Sequence, residues 1–95
     1  MSDNEQTLKQ ALEAMLRHYK LKDGYNEARI RQLWQQQMGP LIAQHTSEFS
    51  LRDRKLYIAV RSAPLRQELS MARDTLRHRL NEALGEAYIE EVVIR

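Results

Sequence analysis

Cysteine is absent from this 95-residue chain, and it holds only three glycines, two prolines, one tryptophan and one phenylalanine. Without cysteine there is no disulfide, no thiolate zinc site and no cysteine nucleophile, which suits a reducing compartment. The glycines, at 24, 39 and 85, stand where breakers or helix ends are expected. None belongs to a phosphate-cradling loop. His18, His45 and His78 lie far apart with no helical i, i+4 partner, so no metal site is expected. Glu90 and Glu91 are adjacent on an expected strand and point to opposite faces, so they cannot act as paired carboxylates. No serine sits in a nucleophile elbow. A small chain lacking these parts is expected to be neither an enzyme nor a cofactor binder.

Long apolar runs are also missing. Nothing approaches the roughly 20 residues that span a bilayer. The opening Met1-Ser2-Asp3-Asn4-Glu5-Gln6 is polar and acidic where a secretory leader would be basic. Cytoplasm is the expected location, with no membrane partner, and residues 1–6 are expected to be disordered. Hydrophobic residues at 42% and charged residues at 29% suit one globular domain over 1–95.

The most informative stretch is 55–69. Leu56, Ile58 and Val60 alternate with Lys55, Tyr57, Ala59 and Arg61, the two-residue period of a half-buried strand. At Ser62 the period changes: Ser62 can cap a new helix, and Pro64 fits its first turn because its missing donor would be unpaired there. Upstream, Leu8, Ala11, Leu12, Met15, Leu16 and Tyr19 predict an amphipathic helix over about 5–20, broken by Lys22-Asp23-Gly24. Asn26 then caps a second helix that carries Ile30, Leu33, Trp34 and Met38 and stops at Gly39-Pro40. Phe49 and Leu51 mark a strand over 46–52, joined to the next by a hairpin at Asp53-Arg54, where glycine would be expected in place of Arg54.

A third helix is predicted over 63–84, with Leu65, Leu69, Ala72, Leu76, Leu80 and Ala83 as its apolar stripe and Gly85 as its end. A last, mostly apolar strand follows over 87–95, buried on both faces or paired on both edges. The crossover makes the second and third strands parallel. The expected fold is a two-layer α/β (α+β) domain of order ααββαβ, a three-stranded mixed sheet with helices packed on one face.

Trp34, glycine and proline at 39–40, His45-Thr46, Leu-Tyr-Ile-Ala-Val at 56–60, Ser-Ala-Pro-Leu-Arg-Gln-Glu-Leu at 62–69 and the ending Val-Val-Ile-Arg at 92–95 occur in fixed order. In these the sequence resembles the DciA family of bacterial replication proteins, in its short, core-domain-only form, over about residues 8–95. The resemblance implies a KH-like domain, a role in loading or regulating the replicative DNA helicase, and DNA binding. Two departures stand out: there is no Gly-x-x-Gly clamp of the kind KH domains close on single strands. The sequence also ends at Arg95, without the basic C-terminal extension of longer members.

The net charge is +2, but residues 46–61 carry four basic and two acidic groups, while 86–95 are acidic. On a continuous third helix Arg66, Ser70, Arg73 and Arg77 share one flank. With Arg52, Arg54, Lys55 and Arg61 of the hairpin, these arginines form the predicted DNA-binding set, gripping phosphate in one shared groove. The competing structural reading has them lie over the sheet edge and pair with glutamates. Trp34 and Tyr19 are expected in the core. Tyr57 points off it and is the stacking candidate, unless it only makes a cross-strand contact with Ser50. Two other functions fit the same pattern: a protein-interaction adaptor with little nucleic-acid affinity, and a small RNA-binding module. Self-association is left open through the edge strand 46–52.

Overall fold

The computed structural model describes residues 2–95. It contains α1 (Ser2–His45), β1 (Thr46–Arg52), β2 (Lys55–Val60), α2 (Ala63–Met71), α3 (Arg73–Leu84) and β3 (Glu91–Ile94). The strands form one mixed sheet in the order β1-β2-β3. β1 and β2 are antiparallel, with Leu51 opposite Leu56 and Arg52 opposite Lys55. β2 and β3 are parallel, with Lys55 beside Glu91 and Ile58 beside Ile94. The α+β class and mixed sheet agree with the sequence reading, and the order ααββαβ is followed in outline.

One face of the sheet, with Phe49, Leu51, Leu56, Ile58, Val60 and Val92, packs against the helices. α1 contributes Ile30 and Trp34, α2 contributes Leu69, and α3 contributes Leu76, Leu80 and Leu84. Because side chains alternate along a strand, the other face (Glu48, Ser50, Arg52, Lys55, Tyr57, Ala59, Glu91, Val93) carries no helix.

The predicted interruption at Lys22-Asp23-Gly24 does not occur. Helix runs through it to Met38, and the only non-helical residue in α1 is Gly39, at φ 83° and ψ 171°. Gly24 has open space around its Cα, so the helix bears only glycine's intrinsic cost of about 1 kcal/mol there. What holds the helix straight is tertiary. Asp23 and Asn26 are buried, and Asp23 accepts hydrogen bonds from the Tyr88 hydroxyl and the Asp53 amide. Asn26 is therefore an inward-facing helix residue and not a cap. The helix also includes Ser2–Gln6 of the segment expected to be disordered, while Met1 lies outside the described residues.

The continuous helix carries its N-terminal half clear of the sheet. The radius of gyration is 16.6 Å and the longest dimension 58 Å, against about 12 Å for the radius of a compact chain this long. Tyr19, expected in the core, is 43% exposed on this arm.

The hairpin turn has only two residues, and both have positive φ: Asp53 at 52° and Arg54 at 65°. That is the type I′ pattern normally given to glycine or asparagine. Arg54 is held in it by its own side chain, which donates to the carbonyls of Tyr88 (3.0 Å) and Ala87 (2.9 Å). Its carbonyl accepts from the Glu90 amide at 2.9 Å.

The predicted third helix is two helices, divided at Ala72, whose φ of −104° and ψ of 14° leave the helical basin. The last strand is shorter than predicted and is a sheet edge. Tyr88 and Ile89 are apolar because they anchor the preceding loop: Asn81 brackets Ile89 with both of its amide atoms, at 2.8 and 3.0 Å.

The β1 edge is not open either. Glu27 accepts from the Leu51 amide at 2.7 Å, and Arg31 donates to the Phe49 carbonyl at 2.7 Å. These are backbone groups a further strand would need, so α1 blocks pairing along this edge.

Burial raises the Tyr88 phenol above its ordinary value, and the Asp23 hydrogen bond adds to this. The folded protein thus holds that proton more tightly than the unfolded chain. Stability is intact below about pH 10 and falls as pH rises beyond it. In urea titrations at pH 8 and 11, the midpoint of the native protein should drop more than that of Tyr88→Phe. Equal drops would show that this phenol is uncoupled from folding.

Candidate nucleic-acid interface

The helix-free face of the sheet gathers the most concentrated chemistry in the molecule. Tyr57 lies near its centre, on β2, because it alternates with the core residues Leu56 and Ile58. The Arg52 guanidinium sits 4.6 Å from the Tyr57 ring centroid and that of Arg95 sits 5.1 Å from it. Arg52 reaches the ring from β1. Arg95 reaches it because its backbone pairs with β2, donating to the Ile58 carbonyl at 2.9 Å and accepting from the Val60 amide at 3.1 Å. Two guanidinium groups within cation–π distance of one ring concentrate positive charge around the aromatic.

Glu48 holds both arginines in place. Its Oε1 is 2.6 Å from Arg95 Nη2 and 3.9 Å from Arg52 Nη2. The Arg95 hydrogen bond keeps the Glu48 carboxyl below the usual carboxylate range despite some desolvation. Lys55 stands across from Arg52 and beside Glu91. Arg61 follows Val60 at the exit of β2, continuing the alternation of Lys55, Tyr57 and Ala59. Arg52, Lys55, Arg61 and Arg95 thus outnumber Glu48 and Glu91 along one sheet face. The side chains of Lys55 and Arg61 have no ion-pair or hydrogen-bond partner among the described residues.

The predicted DNA-binding set is divided by the fold, and the single shared groove is not formed. Arg52 and Lys55 lie at the hairpin end; Arg61 lies about 20 Å away at the other end of β2. Arg54 is spent on structure: besides its two carbonyl bonds it lies 3.4 Å from Glu90 and 5.2 Å from the Tyr88 ring centroid. Arg66 lies near Arg61, donating to the Val60 carbonyl at 3.0 Å. The break at Ala72 separates Arg66 from Arg73 and Arg77, whose common flank required an unbroken helix. Arg73 shares a shallow hollow with Asp74, Glu90 and Glu91, an acidic setting that disfavours phosphate. Arg77 lies 3.5 Å from the His78 ring nitrogen. Sequence reasoning missed Arg95 as a site residue. Its signal was the alternation Glu91, Val93, Arg95, which becomes informative only once the parallel register beside Tyr57 is known.

Comparison with known families decides the kinship of this chain. The family model described as Dna[CI] antecedent, DciA matches residues 7–94, nearly its whole length. The chain belongs to the DciA family. No curated protein matches it. DciA proteins are linked to loading of the replicative helicase in DNA replication, and that helicase is the partner associated with the family. Among the described residues no helix is long and apolar enough to cross a membrane.

Proposed function

We propose that this DciA-family chain is a non-enzymatic accessory protein of bacterial replication initiation, acting in the cytoplasm, that binds DNA while engaging the replicative helicase. Its task is to hold the helicase and an exposed strand close together without hydrolysing nucleotide. The observation carrying the DNA half of this reading is the Tyr57 ring with the Arg52 and Arg95 guanidinium groups beside it on an open sheet face. Aromatic and guanidinium planes accept any base, and arginine forks accept phosphate, so such a face suits a single strand without sequence preference. Lys55 and Arg61 extend the cationic track to both ends of β2, and Arg66 prolongs it beyond Arg61.

Affinity for oligothymidine, titrated with salt, tests this directly. With about four phosphate contacts, log affinity should fall with log salt at a slope near −3. Binding that is undetectable at low salt, alongside retention of the helicase in a pull-down, would leave the adaptor function standing. One observation favours that second reading: Glu48 already partly neutralises Arg52 and Arg95.

A further inference from the structure

The arm of α1 displays an apolar stripe left exposed by the described residues. Leu8 is 63% exposed, Leu12 48%, Met15 49%, Leu16 59% and Tyr19 43%. Leu8, Leu12, Met15 and Tyr19 follow 4-3-4 steps, the spacing of a coiled-coil seam, with Leu16 beside them. We propose that this seam pairs antiparallel with the same seam of a second copy, making a symmetric homodimer through the α1 arms. The proposal does not depend on the DNA-binding reading, because the arm lies outside the open sheet face.

Geometry and charge both select this occupant. In a two-fold antiparallel pair whose facing positions sum to 27, Leu8 meets Tyr19 of the second copy and Leu12 meets Met15. All four seam residues are then used twice, as an isologous interface requires. The same register sets Glu5 beside Lys22, whose other carboxyl neighbour is Glu86 at 3.1 Å. Along the arm, residues 5–13 carry Glu5, Lys9 and Glu13, a net negative charge, while residues 14–22 carry Arg17, Lys20 and Lys22 with no acid among them. Antiparallel pairing places acidic half against basic half; parallel pairing would put the three cations beside their copies. The five exposed side chains offer about 500 Å² per copy, so a pair removes about 1,000 Å², the lower bound for a specific interface. The β1 edge, where α1 side chains occupy the backbone groups, is not available for this pairing.

Sedimentation velocity over a rising micromolar series should show the apparent mass of the intact chain doubling. Leu12→Glu and Met15→Glu should each hold it at monomer mass, with a melting temperature equal to that of the native chain when both are scanned at a concentration where the native chain is also monomeric, since neither side chain belongs to the core. The cysteine-free sequence allows a register test. A mixture of Leu12→Cys and Met15→Cys chains should cross-link as heterodimers. Leu12→Cys alone should not, because two copies of residue 12 lie about 4.5 Å apart along the axis in addition to the interhelical distance of about 8–10 Å. Monomer mass at every concentration, a Leu12→Glu chain that still doubles, or faster cross-linking of Leu12→Cys with itself would each overturn the proposal.

Discussion

Trp34→Ala is expected to lower the melting temperature by about 20 °C, the largest stability effect of any single substitution considered. Trp34 is 2% exposed and its ring lies 5.8 Å from that of Phe49, joining α1 to the sheet. Its Nε1–H donates to the Thr46 hydroxyl at 3.1 Å, and that hydroxyl donates to the Ile42 carbonyl at 2.8 Å. One side chain therefore fixes the helix, the segment after the Gly39 joint and the first residue of β1. Truncating a buried tryptophan costs about 3–5 kcal/mol, a large part of the 5–15 kcal/mol that a domain of this size has in total. At roughly 4–8 °C per kcal/mol, a shift of about 20 °C follows. Leu12→Ala on the arm removes an apolar group that is 48% exposed and, in the monomer, should leave the melting temperature nearly unchanged. A thermal scan of both variants at low concentration checks this. Equal shifts would mean that the arm is part of the cooperative core.

The largest functional effect is expected from changing Tyr57→Ala, Arg61→Glu and Arg95→Glu together. Loss of one stacking platform is worth about 1–3 kcal/mol, and reversing two cations removes two phosphate contacts and adds repulsion. Affinity for oligothymidine should fall about a hundredfold, and the salt slope should become shallower by at least 1. All three positions lie on the helix-free face or at its exit, so folding should survive, and circular dichroism with a thermal scan confirms that. The companion variant carries Arg66→Glu, Arg73→Glu and Arg77→Glu. It should lose much less affinity, because Arg73 already lies among acids and only Arg66 adjoins the cationic track. The reverse ranking would transfer the interface from the sheet to the helices.

Local chemistry made the sheet and the strand-to-helix junction legible. The Ser62 hydroxyl accepts from the Leu65 amide at 3.3 Å with Pro64 in the first turn, and Gly85 ends α3 at φ 82°. These features depend on residues a few positions apart. What sequence periodicity missed depends on contacts across the chain. The helix persists through Gly24 because Tyr88 and Asp53, 65 and 30 residues away from Asp23, bond to its buried carboxyl. Arg54 tolerates a left-handed turn because Ala87 and Tyr88 supply acceptors for its side chain. The arginine flank expected on α2 and α3 failed for the same kind of reason, since nothing in the 3.6-residue period marks Ala72 as a joint. At the site, Tyr57 was readable from strand alternation. Its partner Arg95 was hidden by a register that only folding creates.

The central claim, that the open sheet face receives the DNA strand, is tested most directly by titrating isotopically labelled protein with a short oligothymidine and following backbone amide shifts. Perturbations should concentrate at Arg52, Lys55, Tyr57, Ala59, Val93 and Arg95, with little change in α3. Shifts confined to Arg66, Arg73 and Arg77, or none at saturating oligonucleotide, would contradict it.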